Sequence, residues 1–326
     1  MDTPRIWILF SVLLVPYAAY AQVFRMAELN AVQISSLNRE KTVVLIPGGI
    51  LEEHGPYLPV YTDGYANRYY TEKLALAIAA QPGWKVVILP EIPLGFGGAN
   101  NIGAKWDFSG TFTVRLSTLR SVYMDLLGDL GAQNFRWIFV IHDHGDPAHN
   151  QALDQASDYF HDTYGGTMVH LFGLTEVQGC YDVMARLLSK ESNEEDGFTV
   201  HAGAEEHSEI LFLHPELVSP SYKSAHPVTG SNFKDLYNLA EKSTWPGYFG
   251  APARAAGSVG RQVMQACSRT LDAIALRVLG GIDYRTLPRF YDKLDPRDAI
   301  GDQAERNHDR EVEAKQRQWL KMKGFE

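Results

Sequence analysis

The sequence predicts an α/β protein, a three-layer α/β/α sandwich around a mostly parallel central sheet. Short apolar runs bounded by turn residues recur along the chain, and between them apolar residues return every three or four positions. Polar clusters rich in carboxylate and imidazole follow directly after these runs, at the strand edge where open parallel sheets collect ligands.

Each element has its own signal. Residues 42–46 (Thr-Val-Val-Leu-Ile) form a continuous apolar run closed by Pro47-Gly48-Gly49, the pattern of a strand buried on both faces. Tyr70, Leu74 and Ile78 recur at intervals of four and predict a helix behind Asp63. Residues 85–89 are strand-like, and Leu119, Val122, Tyr123 and Leu126 mark a helix over 116–130. Residues 136–141 predict another buried strand, followed by a helix beginning near Gln151, and residues 168–172 a further strand. Polar residues 190–197 read as a surface loop, and 197–200 as a short β-like stretch before a helix carrying Ile210, Leu211 and Leu213. Residues 220–245 read as an irregular stretch long enough to shape a pocket. Trp106 and Trp245 are candidate substrate walls, with ordinary packing as the alternative. Residues 303–323, mostly charged with both signs interspersed, predict an exposed terminal helix with mutual ion pairs and a surface for oligomer contact.

The N-terminus reads as an export signal over residues 1–21. Residues 6–15 are apolar, Arg5 precedes them, and Ala19-Tyr20-Ala21 offers a small-x-small cleavage site. That run is far shorter than the roughly 20 residues a bilayer span needs, so no membrane attachment is expected after cleavage, and the destination is the periplasm or the exterior. Residues 22–326 then form one domain. The net charge of −9 speaks against a nucleic-acid partner. Cys180 and Cys267 are the only cysteines. Export permits a disulfide, but Cys267 lies on the apolar line Val263, Leu271, Ile274, Val278, which favours a buried inert thiol.

Three clusters carry the chemistry. The first, Glu52-Glu53-His54-Gly55-Pro56 with Asp63, follows the strand at 42–46; Glu52 and His54, two apart, project to one side of an extended segment. The bland alternative makes Asp63 a helix cap and the Glu pair solvated. The second, His142-Asp143-His144-Gly145-Asp146 with His149, follows the strand at 136–141. The third, His201-Ala202-Gly203-Ala204-Glu205-Glu206-His207-Ser208-Glu209, opens a helix, where the backbone dipole alone already favours a Glu. Oxygen and nitrogen ligands without thiolate suit zinc, manganese or iron.

These residues resemble the creatininase family of metal-dependent hydrolases. Its first motif, Glu-Gln-His-Gly-Pro then Leu-Pro and Thr-Asp, is matched by Glu52-Glu53-His54-Gly55-Pro56, Leu58-Pro59 and Thr62-Asp63. His144 occupies the histidine of Asn-Gly-His. His201, Ala202, Gly203, Glu206 and Ser208 match His-Ala-Gly-Glu-x-Glu-Thr-Ser, and Phe108-Ser109-Gly110-Thr111 echoes Phe-Pro-Gly-Thr. The resemblance implies a binuclear centre of two divalent ions, zinc foremost and manganese or iron as alternatives. Glu52 and His144 would serve one ion and His54 the other, with Asp63 bridging. Glu206 would complete the second shell or act as acid/base, with His201 beside it. Asp146 holds the place of a carboxylate that some members use as a ligand. The implied activity is amide hydrolysis on a small molecule (a cyclic amide, a formamide or a short peptide-like substrate) by a hydroxide held between the ions, in a homo-oligomer, a hexamer by resemblance.

The departures leave the implied metal shell in place but predict a different substrate pocket: His142-Asp143 stands for Asn-Gly, about three residues are inserted between Gly145 and Asn150, and Ala204 stands for a Glu and His207 for a Thr. Two rivals remain. The spacing His142-x-His144-x-Asp146 is similar to the metallo-β-lactamase motif, but Pro147 stands where that motif needs a histidine. An exported, non-catalytic metal- or ligand-binding paralogue would be marked by loss of ligands. A phosphoesterase is disfavoured because no Arg or Lys accompanies the motifs.

Overall fold

The computed structural model describes residues 22–293 and 300–325, so the export signal read in 1–21 lies outside the described residues. Five parallel strands form one sheet: β1 (Val23–Arg25), β2 (Thr42–Pro47), β3 (Lys85–Ile88), β4 (Trp137–Ile141) and β5 (Thr167–His170), in the order β1-β3-β2-β4-β5. Along β2 the side chains alternate: Val43 and Leu45 enter one core, Val44 and Ile46 the other, and all are fully buried. Two covered faces explain why the run is continuous rather than alternating.

Six longer helices flank the sheet: α1 (Thr62–Ala79), α2 (Leu116–Ala132), α3 (Pro147–Tyr164), α4 (Ala204–Leu213), α5 (Gly257–Leu279) and α6 (Ile300–Lys323). Helices α1 and α5 contribute to the core on one face and α2 and α3 to the core on the other. The segments that follow β2 and β4 therefore leave to opposite sides, and the crevice at their carboxyl ends is a topological switch point.

Several local expectations are corrected. Residues 190–197 are not a loop: Lys190–Asp196 is helical, with the Ser189 hydroxyl accepting from Ser192 N, so a local cap prevails over polar composition. Residues 197–200 form no strand, only an isolated bridge between Phe198 and Gly230. The stretch 220–245 contains the helix Phe233–Ala240, capped by Asn232 and burying Leu236 and Ala240. Helix α3 starts at Pro147 rather than near Gln151, because Asp146 caps it and proline is preorganised for the first position. The strand expected over 168–172 gives way to a 3-10 turn at Leu171–Gly173. Trp245 packs between Phe108 and Phe249, and its indole N–H donates to Tyr248 O at 3.1 Å; it is core and not a substrate wall.

Cys267 is fully buried, as its helical line implies, but it is not a free thiol. It is bonded to Cys180, with 5.0 Å between the Cα atoms. Helical periodicity reports one partner's face and is silent on what meets it. The bridge ties the turn Gly179–Val183 to α5 across 87 residues of chain. Replacing both cysteines by serine should lower the unfolding free energy by about 2–5 kcal/mol. Denaturant titration under non-reducing conditions measures this; an unchanged midpoint would contradict it.

Candidate metal centre

The carboxyl ends of β2 and β4 and the start of α4 bring the three clusters to one place. Glu52 and His54 lie on the loop after β2, Asp63 in the first turn of α1, His144 after β4, and Glu206 in the first turn of α4. Three overlapping groups have ligand atoms all within 4.8 Å of one another: Glu52, Asp63 and His144; His54, Asp63 and Glu206; and Glu52, His54 and His201. Asp63 is shared by the first two. Its Oδ1 lies 3.1 Å from His54 Nε2 and its Oδ2 3.2 Å from His144 Nδ1. Glu52 Oε2 is 3.1 Å from His144 Nδ1, and Glu206 Oε1 is 3.5 Å from His54 Nε2. All are buried except Glu206, whose side chain is 28% exposed.

Each imidazole is oriented from behind by a backbone carbonyl. His54 Nδ1 donates to Glu52 O at 3.0 Å, His144 Nε2 to Phe96 O at 3.1 Å and His201 Nε2 to Glu53 O at 2.6 Å. One N–H of each ring is thereby used, and the other nitrogen presents a lone pair to the carboxylates. His54 Nε2 is fully buried and makes no aligned hydrogen bond despite its two close carboxylates. Lone pairs converging on carboxylates repel unless a proton or a cation stands between them. This donor set, oxygen and nitrogen with no thiolate, fits a divalent metal ion in each of the two groups that share Asp63.

Electrostatics agree. Burial works against charge on His54, His144 and His201, but neighbouring carboxylates prevail: Glu206 and Asp63 at His54, Glu52 and Asp63 at His144, Glu52 and Glu53 at His201. All three pKa values lie above the ordinary imidazole value. Burial also opposes ionisation of Asp63, yet His144 and His54 hold its carboxyl well below the usual range. Without metal, protons play the cation's part.

The carboxylates are anchored as carefully as the rings. Ala99 N donates to Glu52 Oε1 at 2.7 Å, and Ala202 N to Glu206 Oε2. Ala202 adopts φ 50°, unusual for a residue with a Cβ, and so points its N–H back into the first turn of α4. Gly247 adopts φ 90°, and a Cβ there would lie 2.4 Å from Glu53 Oε2, so that position requires glycine. Thr111, in the Phe-Ser-Gly-Thr stretch, accepts from Glu53 N at 3.1 Å through its hydroxyl.

Not every candidate faces the centre. The Asp146 carboxylate accepts from His149 N at 2.7 Å as the cap of α3 and presses on Gly97, outside the three groups. His201 meets Glu52 Oε1 at 3.6 Å through Nδ1, at the edge of the shared pair. His142 turns to Leu94 O, and burial drives its pKa down to about 3; His149 accepts from Phe96 N. Both are neutral packing beside His144. Residues the motifs did not reveal form a layer beside the centre: Tyr181 donates to Asp143, and Tyr70 to Glu209 at 3.3 Å. Burial, with Asp63 and Glu206 nearby, raises Asp143 to about 7, and Glu205 and Glu209 also lie well above the carboxylate range. Their tyrosine partners come from distant segments with no motif of their own, so the sequence carries no signal for the contact.

The fold and this site define a parallel-sheet α/β protein with a candidate binuclear metal centre at its switch point. A family model described as "Creatininase: Creatinine amidohydrolase" matches residues 27–274, and the chain belongs to the creatininase family. Similar solved structures include a creatinine amidohydrolase (creatininase) at 18% identity and TM-score 0.60, covering 79% of this chain and 98% of that one. A structure titled "Creatininase Mn" follows at 17% and 0.59, covering 79% and 99%. A putative creatinine amidohydrolase from Bacteroides fragilis stands at 19% and 0.54, covering 80% and 98%. No curated protein sequence matches the chain.

The histidine shifts set a pH signature. A folded pKa above the ordinary imidazole value of about 6.5 stabilises the metal-free protein below that value, and the contribution is lost as pH rises through the folded pKa. Metal-free protein should therefore melt at falling temperature from neutral to alkaline pH, while added divalent metal should flatten the decline and release protons as it displaces them from the rings. Calorimetric titration in buffers of different ionisation enthalpy measures the release; metal uptake with none would contradict the geometry.

Proposed function

We propose that the chain is a metal-dependent amidohydrolase that cleaves a carbon–nitrogen amide bond other than a peptide bond in a small molecule. The observation that carries this is the shared Asp63 carboxylate, with an imidazole lone pair facing each of its oxygens. Two divalent ions held by Glu52, Asp63 and His144 and by His54, Asp63 and Glu206 would supply a nucleophile at neutral pH, by lowering the pKa of water from about 15.7 towards 7, and polarise the scissile carbonyl.

The chain's own groups do the rest. Glu206, the one partly exposed member, is the one solvent reaches, and its Oε2 is already satisfied by Ala202 N. It completes the second ion's shell through Oε1 or, where Oε1 is not bound to the ion, takes the proton of the attacking water and returns it to the departing nitrogen. His201, held by the Glu53 carbonyl, keeps Glu52 oriented. One similar solved structure is a mutant creatininase complexed with creatine, which supports a compact, nitrogen-rich small molecule as the class of ligand. His207, in place of the family's Thr, is fully buried and packs edge-on against Tyr57; with this departure from the family pattern, creatinine itself is not the substrate we name.

The disulfide supports the reading that the chain is exported into an oxidising compartment.

Asp63→Asn should remove the shared charge and lower metal content and hydrolysis together, by more than the roughly 10–100-fold that outer-shell changes cost. Elemental analysis and a mass-spectrometric screen over lactams, formamides and small amides measure both. Full activity with intact metal loading would refute the bridging role.

A further inference from the structure

Helix α6 lies beyond residue 274, where the family match ends, yet it packs on the segment that orients one half of the candidate centre. That segment, residues 94–115, supplies Phe96 O to His144 and Ala99 N to Glu52. Both residues belong to the group Glu52, Asp63 and His144. In the other group, His54, Asp63 and Glu206, the segment reaches only the peptide between Glu52 and Glu53, through Thr111 and Glu53 N, whose carbonyl faces His54; Glu206 is held from elsewhere, by Ala202 N.

The seat of α6 is specific. His308 stacks flat on Trp106, with centroids 4.3 Å apart and planes 3° from parallel. Asp309 takes the backbone amide of Leu116, at the start of α2, where no side chain of the helix's own N-terminus caps it. Glu313 lies 3.5 Å from Arg115, and Glu305 is buried. Between helix and loop runs a cavity of about 440 Å³, so these few contacts, not continuous packing, set the distance between the two. Trp106 follows Lys105, whose carbonyl accepts from the Asn100 amide at 2.8 Å; Asn100 in turn takes the Thr111 hydroxyl at 2.8 Å and directly follows Ala99.

We propose that α6 is a positioning strap: through Trp106 and the Asn100 turn it holds Ala99 N and Phe96 O in register with Glu52 and His144, and so sets the affinity of that cation place more than that of the other. This rests on the metal-centre reading above. His308 and Trp106 are positioning residues, touching neither metal nor substrate.

The test uses full-length protein. Metal-free wild type, His308→Ala, Trp106→Ala and the stack-preserving His308→Phe are titrated with zinc against a chromophoric chelator, and cobalt-loaded spectra are recorded. His308→Ala and Trp106→Ala should weaken one of two binding events by about tenfold, the low end of outer-shell effects, and the other clearly less; His308→Phe should restore wild-type behaviour. Equal weakening of both events, or a lowered melting temperature with both affinities unchanged, would make α6 merely structural and overturn the strap alone. Asp309→Asn gives the same readout if an aromatic variant does not fold. A wild-type chain that takes up no divalent ion would overturn the metal-centre reading, and the strap with it.

Discussion

Everything at this site follows from a shortage of positive charge. Glu52 and Asp63 are buried, with Glu206 at the rim, and the imidazoles that face them have each already given one N–H to a backbone carbonyl. Burying an ion without a partner costs several kcal/mol, and among the described residues no ion pair brings Lys or Arg to these carboxylates. Protons on the rings can balance the cluster at the expense of the lone pairs, whereas divalent ions balance it with the lone pairs in use. Ring protons and divalent ions are thus alternative counter-charges for the same carboxylates, so that metal binding at this place would be coupled to proton release.

The sheet order makes this possible. Because β3 lies on one side of β2 and β4 on the other, the loops after β2 and β4 diverge to opposite faces and leave a crevice between them. Residues nearly a hundred positions apart, Glu52 and His144, meet there. Helix α4 adds Glu206 with its first turn, where the unpaired amide of Ala202 and the helix dipole both favour a carboxylate. The same dipole argument makes a single Glu in that turn unremarkable in sequence; only its company gives it meaning.

Much of this was legible in the amino acids because burial writes itself as pattern. The runs at 42–46 and 136–141 became β2 and β4 within a residue or two, and the polar clusters behind them became the site. The shared position of Asp63 was legible only through family resemblance, since an Asp just ahead of a helical pattern reads equally as a cap; in the structure Tyr61 holds the cap position and Asp63 lies in the first turn. Features made by contact rather than period stayed hidden. Cys180 and Cys267 sit 87 residues apart, and nothing in either neighbourhood names the other. The polar segment Lys190–Asp196 folds as a helix on a local cap. Asp146 matched a ligand position by spacing; in the structure its Oδ1 caps α3, and it lies outside the three groups of converging ligand atoms. Helix α6 carried its charges in plain view, with Arg317 pairing Glu313 as expected, but buried Glu305 shows that one face is docked and not solvated.

If two cations share Asp63, anomalous X-ray diffraction from crystals of the metal-loaded protein should show two peaks flanking its carboxylate, one against Glu52 and His144 and the other against His54 and Glu206. A single peak away from Asp63, or none at full metal excess with these side chains ordered as described, would contradict that sharing.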